Sequence, residues 1–308
     1  MKQNPFSIYD FLGYLIPGST LIYIFLIIEK LGDITEFKLS EVFSSISDYK
    51  SQEILFFIII SYALGHILSF LSSITIEKYG NWKYGYPSKY ILGYIKKSFW
   101  VVENEPEDYN ENIDIYEKSK NRKKRRTKNI GRIFLTILLC PFVLIDIIFG
   151  QRLHFKNFYQ KGLDPYLTKV IKEKVVLLIN SLGLSAENNI SENDLKKYDF
   201  HRIVTHYSFE NCKEHQFRMI NYVAIYGFLR NLVLIFIIAS WYYFILSLNT
   251  LNIENKIDFQ AILINLGIMF LSYISFMAYM KFYRRYTLEG LMLILVDKEI
   301  RVTVPNNL

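Results

Sequence analysis

The chain has 308 residues, of which 51% are hydrophobic and 21% charged, and its formal charge at pH 7 is +7. The aromatic content of 17% excludes a disordered chain, and two cysteines are too few for a disulfide scaffold. The apolar residues are concentrated in a few long blocks, which predicts an all-α, polytopic integral membrane protein.

Four blocks are long and apolar enough to cross the roughly 30 Å of hydrocarbon in a bilayer as helices. We predict transmembrane helices over 11–28, 54–76, 229–248 and 259–280. The third block contains one charged residue, Arg230, at its start, and we expect its guanidinium to reach the lipid phosphates. The order of the blocks predicts a transmembrane hairpin over 1–78, a helical cytoplasmic insertion over 79–218, and a second hairpin with a cytoplasmic tail over 219–308.

A fifth apolar block, 133–149, contains Pro141 and Asp146 and is harder to place. Cytoplasmic segments close to transmembrane helices are enriched in Lys and Arg, so charge can decide whether this block crosses. Residues 77–218 carry 25 bases against 17 acids, whereas residues 29–53 carry three bases against six acids. All basic segments lie on one side only if the fifth block does not cross. We therefore predict that it lies in, or re-enters, the inner leaflet of a bacterial inner membrane, with both termini cytoplasmic.

The second predicted transmembrane helix has small residues at every fourth position, namely Ser61, Gly65, Ser69 and Ser73. They share one face and allow another helix to approach closely. Two interpretations stay open: packing against another helix of the same chain, and helix association between copies in a homo-oligomer.

His66 lies beside this face at mid-membrane depth, where an ionisable side chain is a candidate pore or relay residue. The alternative is a structural histidine that is satisfied by neighbouring hydroxyls or carbonyls.

The insertion contains an abrupt reversal of charge, because residues 103–117 include seven acids and no base, whereas 118–132 include nine bases and no acid. The basic block is followed directly by the apolar block 133–149, and the combination predicts attachment to anionic lipids. The densest basic run consists of Arg122, Lys123, Lys124, Arg125 and Arg126. Nucleic-acid phosphates would attract the same side chains, but no base-reading module follows, so nucleic acid is the less favoured partner.

Metal-ligand residue types cluster once, near the end of the insertion, at His206, Cys212 and His215. They are weak candidates for a metal site, because the spacings C-x-x-C and H-E-x-x-H are missing. The same spacing is typical of a salt-bridged helix surface, with Glu214 one turn before Arg218. The sequence therefore implies no cofactor, assigns no metal site and identifies no catalytic residue.

The leading functional prediction is a non-enzymatic membrane protein whose transmembrane helices associate and whose insertion binds a cytoplasmic protein or a nucleotide signal. This architecture, without any shared motif, is similar to that of small multi-span effectors in bacterial defence, which perturb the membrane when they oligomerise. The resemblance implies a role in antiviral defence against phage. One alternative is a small transporter or channel subunit, although no inverted repeat supports it. Another is a membrane-bound enzyme that acts on lipid through His206, Glu210 and His215.

Overall fold

The computed structural model of the chain describes residues 8–31, 51–94, 99–101, 115–183, 190–192, 194–196, 199–254 and 259–300. All regular elements in these residues are helical, and four helices are long and apolar enough to cross a membrane. Shorter helices lie between the second and third of these long helices. The predicted fold class, an all-helical multi-pass membrane protein, is therefore confirmed.

The N-terminal part of the chain forms two helical rods, each interrupted by one π-helical turn. A π turn inserts one extra residue into a helical turn, and such turns are frequent at functional sites. The first rod comprises α1 (Ile8–Asp10), the π turn Phe11–Leu15 and α2 (Ile16–Leu31). The second rod comprises α3 (Ser51–Ser72), the π turn Ser73–Glu77 and α4 (Lys78–Tyr84), after which comes α5 (Pro87–Tyr90).

The middle of the chain consists of shorter helical elements. They are α6 (Ile115–Leu138), α7 (Cys140–Ile145), a π-helical segment Asp146–Arg152, a 3₁₀ turn Phe155–Phe158, α8 (Pro165–Ser181), a 3₁₀ turn Asp194–Lys196 and α9 (His201–Asn211). The chain bends by 87° between Arg125–Leu138 and Cys140–Arg152. A bend of this kind belongs to a re-entrant segment or to one broken transmembrane helix, so the re-entry of 133–149 stays a prediction.

The last two helices, α10 (Lys213–Glu254) and α11 (Phe259–Val296), extend well beyond the apolar blocks from which they were predicted. No proline occurs in either helix, so nothing in the sequence forces them to end at the edge of the apolar block. The part of α11 that follows its apolar block contains four leucines as well as Lys281, Arg284, Arg285 and Glu289, which are good helix formers. The extensions are partly buried, as at Met219 in α10 and Leu291 in α11.

The chain folds into two compact units that are not contiguous in sequence. The first, which we call the span unit, draws its described residues from 1–78, 136–156 and 223–279. The second unit draws its described residues from 79–135, 157–222 and 280–308. The predicted division into two transmembrane hairpins and a cytoplasmic insertion concerns position relative to the membrane, and it stays a prediction.

Each unit has its own buried apolar residues. In the span unit, Ile28, Ala239, Tyr243 and Ala261 pack together. In the second unit, α8 has one buried ridge, which consists of Ile171, Val175, Leu178 and Ile179. This ridge packs against α9 and the last turns of α11. The spacing of Val170, Ile171, Val175, Leu178 and Ile179 in the sequence predicts a helix with one apolar ridge, and the last four of these residues are buried. Asp164 caps the start of α8, because its carboxylate accepts a hydrogen bond of 2.9 Å from the backbone N–H of Tyr166.

Candidate functional site

The span unit contains an ion pair between Arg230 of α10, which is buried, and Glu77, the last residue of the second π turn, which is half-buried. The guanidinium Nη1 of Arg230 donates to Oε2 of Glu77. Arg230 is only 9% exposed. A charge removed from water in this way requires a counter-charge and hydrogen-bond acceptors, since its desolvation would otherwise be strongly unfavourable.

Two further acceptors complete the surroundings of the Arg230 guanidinium. Its Nε donates to the hydroxyl of Ser72 at 3.0 Å, and its Nη2 donates to the backbone carbonyl of Ser69 at 3.2 Å. Each guanidinium nitrogen therefore donates one hydrogen bond within the span unit. This pattern uses the planar, branched geometry of arginine, which a lysine could not reproduce.

The network continues to the first rod through Asn231, which is fully buried beside Arg230. The hydroxyl of Ser72 donates to Oδ1 of Asn231 at 2.5 Å, and Nδ2 of Asn231 donates to the backbone carbonyl of Gly13 at 2.9 Å. Gly13 lies in the first π turn, and Glu77 ends the second. We call Glu77, Arg230, Ser72, Asn231 and the Gly13 carbonyl the charge cluster, and it joins both rods to α10.

The two rods cross at a contact that has no space for side chains. A Cβ atom at Gly18 would lie 1.8 Å from the backbone oxygen of Ser61, and one at Gly65 would lie 1.9 Å from the backbone oxygen of Tyr14. Backbone atoms cannot move aside as the end of a flexible side chain can. At Ser61 and Gly65, the predicted small-residue face therefore packs against the first rod of the same chain.

The other two residues of this face have local roles. Ser69 contributes its backbone carbonyl to Arg230, as described above. The hydroxyl of Ser73 donates to the backbone carbonyl of Phe70 in its own helix, at 2.7 Å. Association of copies through the face of Ser61, Gly65, Ser69 and Ser73 stays a prediction, and the part near Gly65 is occupied within the chain.

His66 lies on the outside of the span unit, where it is exposed. Its ring stacks on the ring of Tyr14 with centroids 3.8 Å apart and meets the ring of Tyr62 edge-on at 4.6 Å. The candidate pore or relay residue therefore belongs to an aromatic group on the outer surface rather than to the charge cluster.

The basic run predicted to bind anionic lipids is described only in part, because the side chains of Arg122, Lys123 and Lys124 lie outside the described residues. Arg126 is exposed and Arg125 is half-buried. Arg132, which follows the basic run in the same helix, is only 3% exposed and donates to the backbone carbonyl of Phe99. Its guanidinium also lies 4.9 Å from the centre of the Trp82 ring. One base of the block is thus used for packing inside the second unit, where it forms a cation–π contact.

The weak metal candidates do not converge. His206 is exposed on α9, whereas Nδ1 of His215 lies 3.0 Å from Oε1 of Glu289, which also accepts a 3.3 Å hydrogen bond from Arg218. Burial raises the pKa of the Cys212 thiol, which disfavours the thiolate that metal binding requires. Within the described ranges, no group of three or more His, Cys, Asp or Glu side chains could hold a metal ion.

The charge cluster was not predicted from the sequence. Arg230 was expected to reach lipid phosphates, but its partner is Glu77, which lies 153 residues earlier in the chain. A signal was present, since Arg230 and Asn231 are adjacent polar residues at the start of one apolar block and Glu77 follows the end of another. Only the fold brings these two block ends together.

Comparison of the chain with protein-family models, with curated proteins and with solved structures found no match. Fold and site therefore define its class: a helical multi-pass membrane protein in which a buried charge cluster joins two N-terminal helical rods to a third long helix.

Proposed function

We propose that this protein is a non-enzymatic effector of the bacterial inner membrane, in which associated copies form a pore or otherwise make the membrane permeable. The observation that carries the proposal is the charge cluster. Buried ion pairs contribute little net stability compared with apolar packing, and their best-attested role is to specify or switch an arrangement. A cluster of this kind, which joins three helical elements of the span unit, is consistent with a protein whose helix arrangement is regulated.

The place of Glu77 in the chain supports regulation by the segment 79–218. Glu77 ends the second π turn, and helix α4 begins at the next residue, Lys78. The segment that follows is therefore joined directly to the residue that carries the Glu77 carboxylate. In our proposal, a cytoplasmic protein or nucleotide signal binds the segment and weakens the Glu77–Arg230 pair.

Helix α6 supports binding to an anionic lipid surface. Its exposed apolar residues recur at helical spacing on one face: Ile130, Ile133, Phe134, Ile137 and Leu138. Phe134 alone is 69% exposed. An apolar face next to exposed bases such as Arg126 is typical of helices that lie at the membrane interface.

The geometry of the histidine group does not favour a lipid-acting enzyme. His206 and Glu210 are exposed, and His215 contacts Glu289. A general acid or base must lie within hydrogen-bond reach of the proton that it transfers, and these side chains define no common position for a substrate. An effector in defence against phage is the biological context in which we expect the chain to act.

Reconstitution tests the proposal. The purified full chain, as wild type and as Glu77→Gln, is incorporated into vesicles that contain phosphatidylglycerol and hold a potassium diffusion potential, without any added substrate or nucleotide. We expect Glu77→Gln to collapse the potential faster than wild type, and its rate to rise more steeply than linearly with the protein-to-lipid ratio because copies must associate. Vesicles with Glu77→Gln that retain the potential as long as protein-free vesicles, at every ratio, would show that the chain is not a membrane effector.

A further inference from the structure

We propose that the outward face of α3 that carries His66 is the contact surface for a second copy of this chain. The face consists of Ile59, Ala63, His66 and Phe70, which have helical spacing and are all exposed in the span unit. Gly65, the residue before His66, packs against the first rod, and the His66 ring stacks on Tyr14 of that rod but stays exposed at the edge of the contact. The inference rests on the proposed function, because it identifies the surface through which copies would associate.

His66 is the residue that requires a partner. It lies in the middle of the uncharged block 54–76, at the depth where a bilayer contains no water. Among the described residues, its contacts are the ring contacts with Tyr14 and Tyr62, and neither is a hydrogen bond. An imidazole that faces lipid tails without a hydrogen bond is unfavourable, and polar side chains at this depth usually bond to another helix.

A second copy supplies the missing group at the correct depth. A neutral imidazole has one N–H donor and one acceptor nitrogen, so two His66 rings that face each other can form an N–H···N hydrogen bond. Lipid tails offer no such group. Ala63 lies about one turn from His66 and allows the two helix backbones to approach closely.

The neighbouring side chains fit the same contact. Ile59 is 57% exposed and Phe70 is 64% exposed, so each can pack on a second copy above and below the His66 pair. The outward face of α11 offers a comparison, since every exposed side chain between Ile262 and Ile274 is apolar. Lipid tails can cover the apolar side chains of that face, whereas they leave the hydrogen-bonding groups of His66 on the α3 face without a partner.

Cross-linking of the full chain in membranes tests the contact. Cys140 and Cys212 are first replaced by Ala, and one cysteine is introduced by Ala63→Cys or, as a matched control at similar depth, by Leu271→Cys on α11. Leu271 is 47% exposed. On mild oxidation we expect covalent dimers from Ala63→Cys and not from Leu271→Cys.

Energy transfer between labelled copies in vesicles measures the role of His66 itself. We expect His66→Leu to lower the association constant about tenfold, the size of one interhelical hydrogen bond. We expect His66→Gln to retain most of the association, because the amide also provides a donor and an acceptor.

Equal cross-linking at Ala63→Cys and Leu271→Cys, or an association constant that His66→Leu leaves unchanged, would overturn the proposed contact. The two proposals fail separately. Vesicles made permeable by a chain that does not associate through this face would leave the effector function standing and exclude the His66 contact. Association through this face in vesicles that stay impermeable would support the His66 contact and exclude the effector function.

Discussion

Two glycines and one histidine illustrate how single residues determine the stability of the two units. Gly18 and Gly65 lie where the first two rods cross, and each faces a backbone carbonyl too closely to admit a side chain. In the second unit, His201 begins α9 and is half-buried, with Nδ1 at 3.4 Å from the hydroxyl of Thr205. Both cases lead to measurable effects on unfolding.

We expect Gly65→Ala to destabilise the full chain by about 1–3 kcal/mol, because the new Cβ would lie 1.9 Å from the Tyr14 backbone oxygen and force the rods apart. Gly267→Ala in α11 is the matched control, since nothing lies within 4 Å of its Cβ position. Alanine is the better helix former, so this control should be neutral or stabilising. Thermal unfolding in detergent measures both, and equal midpoints would show that the rods do not cross at Gly65.

We expect the second unit to lose stability between pH 6.5 and pH 4 because of His201. Burial lowers the pKa of His201 to about 4. The unfolded chain binds this proton near its ordinary pKa of about 6.5, and the folded chain does not, so stability falls as the pH decreases through this window. The nearby Asp199 carboxylate opposes the shift without cancelling it.

The check compares unfolding midpoints of wild type and His201→Gln at pH 7 and pH 5. Carboxylates elsewhere contribute equally to both chains, so the difference between them reports on His201. The wild type should lose more stability on acidification, and parallel losses in the two chains would contradict the assignment.

At the level of elements, the break between α6 and α7 has an identifiable cause. Pro141 lacks a backbone N–H and its ring cannot follow an uninterrupted helix, so the chain bends just before it. The carbonyl of Leu138, which ends α6, accepts a 2.9 Å hydrogen bond from the indole N–H of Trp241 in α10. Asp146, on the far side of the break, is fully buried in the span unit.

If 133–149 re-enters the membrane, its two flanks emerge on one side. We expect Thr127→Cys and Asn157→Cys, both at exposed positions, to react with a membrane-impermeant maleimide from the same side in oriented vesicles. Native cysteines are first replaced by alanine. Reaction from opposite sides would mean that the broken helix pair crosses the membrane as a fifth transmembrane helix.

The elements also show what sequence could and could not predict. The four long helices were predictable because hydrocarbon thickness requires long apolar blocks, and the buried face of α8 followed from the spacing of Ile171 and Val175. The π turns at 11–15 and 73–77 were not, because they depend on backbone hydrogen bonding rather than on composition. The pairing of Arg230 also needed the fold, since its partner is distant in sequence.

In the whole molecule, the charged residues are concentrated between the apolar parts of the chain. The bases and acids of residues 77–218 lie between two parts of the chain that supply the long apolar helices, and the charge cluster lies where these apolar blocks end and begin. In our proposal, the pair of Glu77 and Arg230 holds the helices in a closed arrangement, and the segment 79–218 acts on the membrane through this pair.

The membrane potential of bacteria that express charge variants tests this claim most directly, with a potential-sensitive dye and correction for protein level. Glu77→Gln leaves the buried Arg230 without its counter-charge, which destabilises the closed arrangement, so the cells should depolarise more than with wild type. Glu53→Gln, at the other end of α3, is the matched control. Equal potentials with Glu77→Gln, Glu53→Gln and wild type would contradict the account.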